Sequence, residues 1–323
     1  MQRMMMTLLL AFAVGIVLGK LLLPVLHKLK FGQNVYELAP ESHKKKQGTP
    51  TMGGLVFAGA AIVACLLMND YSVPFAQNMP IAVLLMALGN MCIGFADDMT
   101  KIKSGKNGGL TPKQKMFFQT ILALAFSLYC YFHPQVGSVI EIPFLRAQLD
   151  LSILYVPIMM FIIVGTTNSA NLLDGLDGLL TSVSMVDFAT LAVMAGAAGL
   201  GGLGVCCAAL CGGVMSFLAY NAHPAKMFMG DTGSMFIGGA VVAAAMLMRQ
   251  PLVLVLIAFW MLMSSLSVMI QVTYFRKTGG KRIFKMSPIH HHFELCGVHE
   301  TKIVMMYMVT TVLLCIVALL GVL

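Results

Sequence analysis

Ten stretches of this chain are apolar enough to sit in a bilayer, and that constrains its fold more than any motif. They lie at about residues 4–27, 52–68, 80–96, 114–132, 151–170, 179–196, 200–220, 233–249, 251–275 and 302–323. A helix needs roughly 20 mostly apolar residues to cross a bilayer. Backbone polar groups in lipid must be satisfied internally, which leaves helices or closed barrels. The spacing predicts an all-α polytopic membrane protein of ten transmembrane helices. The 323 residues are 59% apolar and 11% charged, against about 45–50% and about 25% in soluble domains. A soluble globular enzyme, a disordered chain and a fibrous protein are excluded. Too few polar residues remain for a separate soluble domain, so residues 1–323 are expected to form one integral membrane domain. The first stretch has a basic following flank and no clear small-residue cleavage site, so it reads as a helix and not as a signal peptide. The eight Cys are scattered, mostly in apolar runs, and read as small buried hydrophobes.

Charge orients the bundle. Of 21 Lys and Arg, 17 fall in one set of loops; the exceptions are Arg3, Lys20, Arg146 and Arg249. The positive-inside rule puts that set in the cytoplasm, and ten spans then put both termini outside. The formal net charge of +8 therefore reads as topology and lipid contact, with no nucleic-acid partner. Nine of the 13 acidic residues share the cytoplasmic side, and five of those nine are Asp at helix mouths. Asp187 lies inside the sixth stretch, where it predicts a structural polar contact within the bundle.

Five segments on that side carry chemistry. Asp97 and Asp98 are adjacent at the end of the third stretch. Two carboxylates there are costly to desolvate, and hard oxygens suit Mg²⁺ with substrate phosphates; a solvated helix end is the alternative. Asn168 to Gly178 holds Asn171, Asp174 and Asp177 among glycines. It reads as a polar pocket for a nucleotide or metal–phosphate group, or else as an interhelix turn. Asn221 to Ser234 contains Lys226, Phe228, Gly230, Asp231 and Gly233 before the eighth stretch. A helix N-terminus offers free N–H groups to phosphate, and Phe228 offers a stacking surface. Plain N-capping does not explain Asn221, Lys226 and Phe228 together. Ser287 to Glu294 contains His290, His291 and His292. Three consecutive His cannot all easily aim at one metal from regular structure, so phosphate contacts are the better reading. Lys44 to Gly54 begins with a basic run that would touch lipid headgroups. Its Gly48–Gly54 part is too unusual for topology alone, and it lacks the Walker ending.

Together these segments gather Asp, Asn, Lys, His, Gly and one aromatic on one aqueous face, the apparatus of phosphoryl transfer. QGTPTMGG at 47–54, FADD at 95–98, NLLDGLDG at 171–178, NAHPAKMFMGDTGS at 221–234 and SPIHHHFE at 287–294 resemble the phospho-N-acetylmuramoyl-pentapeptide transferase family. That family belongs to the polyprenyl-phosphate N-acetylhexosamine-1-phosphate transferases. The resemblance implies a ten-helix enzyme of the bacterial inner membrane. Such an enzyme moves a phospho-sugar from UDP-N-acetylmuramoyl-pentapeptide to undecaprenyl phosphate, with Mg²⁺, giving lipid I and UMP. It implies Asp231 as the metal ligand, with Asp97 and Asp98 serving the acceptor phosphate and the metal. Asn171, Asp174, Asp177, Asn221 and Phe228 fall to the nucleotide side, together with Lys46 and Thr49. Lys115, His290, His291 and His292 fall to phosphate handling, and a homodimer is implied. Val298 stands where the family pattern has Trp. A sister enzyme using UDP-N-acetylglucosamine would share the acidic positions. A transporter is a poorer fit, because the stretches are nearly free of charge.

Overall fold

The computed structural model describes residues 1–28, 46, 48–104, 108–145 and 147–323. Lys30, Glu37, Glu41, Lys44, Lys45, Gln47, Lys106 and Arg146 lie outside the described residues. Twelve helices are found among the described residues. They are α1 (Gln2–Lys28), α2 (Gly54–Met68), α3 (Met79–Ser104), α4 (Pro112–Phe132), α5 (Tyr155–Leu173), α6 (Leu179–Ala197), α7 (Gly201–Asn221), α8 (Gly230–Leu247), α9 (Leu254–Ile257), α10 (Phe259–Lys277), α11 (Ile289–Leu295) and α12 (Glu300–Val322).

Eight of these helices are long and apolar enough to cross a membrane: α1, α3, α4, α5, α6, α7, α8 and α12. The protein is a multi-pass membrane protein. Two of the ten expected spans take another form. The second is α2, only 15 residues long. Its N-terminal approach is spent on pairing with the chain before α8: Phe228 N–H donates to Pro50 O at 2.8 Å and Gly53 N–H to Phe228 O at 2.8 Å. The ninth is broken, with the segments on either side of Ala258 bent by 82°. No proline makes that bend. Trp260, just past it, stacks on Tyr307 of α12 at 3.8 Å and donates its indole N–H to Thr310 Oγ1 at 2.6 Å. The bend is stapled to α12 by an aromatic pair and a hydrogen bond.

The body of the fold is all-α, as expected, with one small addition. Strands β1 (Val139–Ile142) and β2 (Ala147–Asp150) form an antiparallel hairpin between α4 and α5. Glu141 ties it to the turn after α8, its N–H donating to Arg249 O at 2.8 Å and its carboxylate accepting from Gln250 Nε2 at 2.6 Å.

At the centre stands α8, with every residue from Thr232 to Leu247 buried. A helix apolar on all sides belongs inside a bundle, and α3, α5, α2 and α6 surround this one. Small residues let the neighbours close in. A Cβ at Gly94 of α3 would overlap the Asp231 carbonyl, and one at Gly54 would overlap Gly233. Asp187 on α6 is fully buried, but the polar contact expected for it is missing. Neither carboxylate oxygen has a hydrogen-bond partner among the described residues.

Candidate active site

The site sits where helix ends of opposite sense meet: the last turns of α3, α5 and α7, the first turns of α4, α6, α8 and α12, and the loops between them. Asp97 and Asp98, both buried, end the apolar part of α3. Asp98 reaches across to α8 and serves as its cap. One of its oxygens accepts from Thr232 N–H at 2.9 Å and Thr232 Oγ1 at 2.7 Å, the other from Asp231 N–H at 3.2 Å. The first N–H groups of a helix lack internal partners and carry its positive dipole end, so a carboxylate there is doubly favoured. This fixes Asp98 beside Asp231. Gly230, at φ +69°, lets the chain enter α8 where a Cβ would come within 2.7 Å of Thr51 Oγ1. Asp97 is fixed from the other side by Leu110 N–H at 2.8 Å.

Carboxylate oxygens of Asp97, Asp98 and Asp231 lie within 4.8 Å of one another. Two ammonium groups enter the same space. Lys101 Nζ lies 2.6 Å from Asp97, 3.2 Å from Asp231 and 3.9 Å from Asp98. Lys115 Nζ lies 2.8 Å from Asp231 and 3.4 Å from Asn171 Oδ1. Its place follows from a capping box: Thr111 and Gln114 start α4, and Lys115 falls in the first turn. Asn171, in the last turn of α5, donates to Asp231 Oδ1 at 2.8 Å and to Ser234 Oγ at 2.9 Å. Three hard carboxylates within reach of one point fit a divalent cation with oxygen ligands. Asp174, in the loop after α5, is pushed up to about 8 by burial and then by the carboxylates of Asp231, Asp98 and Asp177.

A second constellation adjoins the first through the same loop. Lys46 Nζ lies 2.8 Å from Asp177 Oδ1 and 2.7 Å from Glu300 Oε1. His223 Nδ1 lies 3.2 Å from Asp177 and 3.3 Å from Glu300. Asn221 is buried, accepting from Gly178 N–H at 3.1 Å and Thr181 Oγ1 at 2.6 Å while donating to Met227 O at 3.0 Å. Its amide braces two loops from inside. Phe228 is half-buried on the segment paired to Pro50, and Thr49 N–H donates to Lys46 O at 3.2 Å.

The three histidines do not share one direction: the His290 and His291 rings meet edge to face at 4.4 Å, and His292 turns into its own loop. They lie on α11, which is held to α10 by Ser267 Oγ accepting from Ile289 N–H at 3.1 Å. His290 is buried against Gly175, where a Cβ would overlap its ring. His291 faces Glu294 at 3.2 Å. His292 is engaged in its own loop, accepting from Lys285 N–H at 3.1 Å and lying 3.8 Å from Cys296 Sγ. Val298 packs against the core.

Asp97, Asp98 and Asp231, which the sequence singles out, do converge, whereas Lys101, Glu300 and His223 were not expected beside them. Lys101 had a local signal. It stands four residues after Asp97 and three after Asp98, on the same helical face. Glu300 and His223 are distant in the chain from Lys46 and Asp177, so no spacing announced them.

The helical bundle and its buried acidic mouth define the class, which the comparisons name. The chain matches the family model for glycosyl transferase family 4 over residues 80–249, more than half its length. Residues 46–57, the segment from Lys46 into α2, match signature 1 of phospho-N-acetylmuramoyl-pentapeptide-transferase. Proteins of that name resemble the chain throughout. The one from Clostridium novyi (strain NT) is 43% identical over 321 residues, covering 99% of this chain and 97% of its own. That from Clostridium perfringens (strain SM101 / Type A) is 44% identical over 316 residues, covering 98% and 96%. That from Clostridium kluyveri (strain NBRC 12016) is 42% identical over 321 residues, covering 99% and 100%. The chain belongs to the phospho-N-acetylmuramoyl-pentapeptide-transferase family of enzymes.

Proposed function

We propose that the protein transfers phospho-N-acetylmuramoyl-pentapeptide from its UDP-linked donor to undecaprenyl phosphate, giving lipid I and UMP. The supporting observation is the meeting of three carboxylates and two ammonium groups at one mouth of the bundle. Asp97, Asp98 and Asp231 would hold Mg²⁺, which when bound polarises the pyrophosphate oxygens and neutralises charge. Lys101 and Lys115, paired with the same carboxylates, would neutralise phosphate oxygens. The acceptor phosphate has a second pKa near about 6 and arrives largely dianionic, so little base catalysis is needed. Its oxygen attacks the β-phosphorus of the donor in line, the bond to the UMP oxygen breaks, and Asp97 takes any residual proton. Lys46, Thr49, Asn171, Asp174, Asp177, Asn221 and Phe228 serve the donor side, with Phe228 stacking on the base. His290, His291 and His292 serve the phosphates.

In this reading residues 1–323 form one domain with ten spans. It lies in the bacterial inner membrane as a homodimer, both termini outside and the site facing the cytoplasm among lipid headgroups. The test is UMP release by purified protein, with each UDP-sugar donor, with and without Mg²⁺. Release that needs Mg²⁺ and the muramoyl-pentapeptide donor supports the reading. Preference for UDP-N-acetylglucosamine transfers it to the sister reaction. Donor-independent lipid flux without UMP refutes it.

A further inference from the structure

The second constellation contains a residue with no role so far. We propose that Glu300 is a positioning residue for the donor end of the site, seating the Lys46 ammonium against Asp177. This rests on the reading of Lys46 and Asp177 as donor-side residues.

Glu300 opens α12 and is buried. Its Oε1 accepts from Asp177 N–H at 2.6 Å and from Lys46 Nζ at 2.7 Å, and its Oε2 accepts from Lys46 Nζ at 2.8 Å. One carboxylate thus fixes both the backbone of the Asp177 loop and the Lys46 head. Asp177 spends its other oxygen on Ala225 N–H at 3.0 Å and His223 at 3.2 Å. An ammonium has three N–H donors, and those of Lys46 are taken by the two carboxylates. The three strands of chain that meet here come from far apart in the sequence, and α12 supplies their common anchor. A glutamine in place of Glu300 would have the same shape but no charge. It offers one acceptor oxygen, and its NH₂ would face another donor. Lys46 would then keep only one of its two carboxylates and shift from its seat, and the loop N–H of Asp177 would lose its charge-assisted bond. The three-carboxylate cluster receives none of these bonds, so the effect is confined to one substrate.

The test is steady-state UMP release with each substrate varied, for the unmodified protein, Glu300→Gln, Glu300→Asp, Lys46→Met and the Glu300→Gln/Lys46→Met double variant. Expected for Glu300→Gln is a donor KM raised about tenfold or more, with kcat within about threefold. The KM for undecaprenyl phosphate stays unchanged. Glu300→Asp keeps the charge and recovers part of the loss. The losses in the double variant are less than additive, because the Lys46–Glu300 contact is common to both changes while the Asp177 N–H bond is lost only with Glu300. A loss confined to kcat, equal rises in both KM values, or additive losses overturns the proposal. If Glu300→Gln does not fold, Glu300→Asp decides. A donor KM unchanged there while Lys46→Met is impaired also overturns it. If the unmodified protein releases no UMP from any donor, the reaction itself fails. Calorimetric binding of UMP then reads the positioning role separately: weaker binding by Glu300→Gln supports it and equal binding overturns it.

Discussion

Lys101 and a divalent cation would claim the same oxygens, and that competition can be measured. Replacing Lys101 by Met keeps the apolar stem and removes the charge. Its ammonium lies 2.6 Å from Asp97 and 3.2 Å from Asp231. At the dielectric of water each attraction is about 1.5 kcal/mol, and at an effective value of 20 about four times that. The Lys101 side chain is 34% exposed, so solvent screening and side-chain entropy discount these figures to roughly 1–3 kcal/mol in total. Without Mg²⁺, Lys101→Met should lose about that much stability, because three carboxylates then face one another with one counter-charge fewer. With saturating Mg²⁺ the loss should largely disappear. The apparent Mg²⁺ affinity should tighten by about fivefold to 150-fold, following the same free energy. Turnover should fall all the same, since a phosphate-neutralising group is gone. Thermal unfolding of detergent-purified protein over a Mg²⁺ titration checks the first two outcomes, and UMP release the third. If Mg²⁺ binds the variant more weakly, Lys101 supports the metal cluster instead of competing for it, and the reasoning fails.

Other outcomes follow from single contacts. Asp98→Asn removes the charged cap of α8 and one of the three carboxylates that would hold Mg²⁺, and should abolish the rise in denaturation midpoint that Mg²⁺ gives the unmodified protein. Gly94→Ala forces a methyl into the Asp231 carbonyl and should abolish Mg²⁺-dependent UMP release; a fully active variant would refute the tight α3–α8 seam. Asp187→Val removes a buried carboxyl without partners and should raise stability by about 1–3 kcal/mol with activity unchanged. Asp174, held up to about 8 against an ordinary 3.8, keeps its proton in the folded protein after the unfolded chain has lost its own. Stability without Mg²⁺ should therefore fall as pH rises from about 4 to about 8, and Asp174→Asn should flatten that slope in a melting-temperature series.

Much of the site could be read from the residues because carboxylates at helix mouths are expensive and therefore conspicuous. Asp97, Asp98 and Asp231 declared themselves by cost, and Asn171 by its company. Lys101 was hidden by its abundance class. A lysine in a basic loop has a ready topological explanation, and only helical spacing from Asp97 sets it apart. Glu300 was hidden by distance, since its partners lie 123 and 254 residues away. The bend at Ala258 carries no proline, so a continuous apolar run concealed it. The hairpin at 139–150 fell in a loop too short and mixed to show a clear period. Asn221 was legible as important, but its amide turned out to hold loops from within.

Because Asp98 closes the N-terminal end of α8, the innermost rod of the bundle begins at the acidic mouth. On the proposed reading, folding and chemistry draw on one seam. A small molecule wedged between α3 and α8 would loosen the scaffold and silence turnover in the same act, and escape by substitution along that seam would sacrifice both.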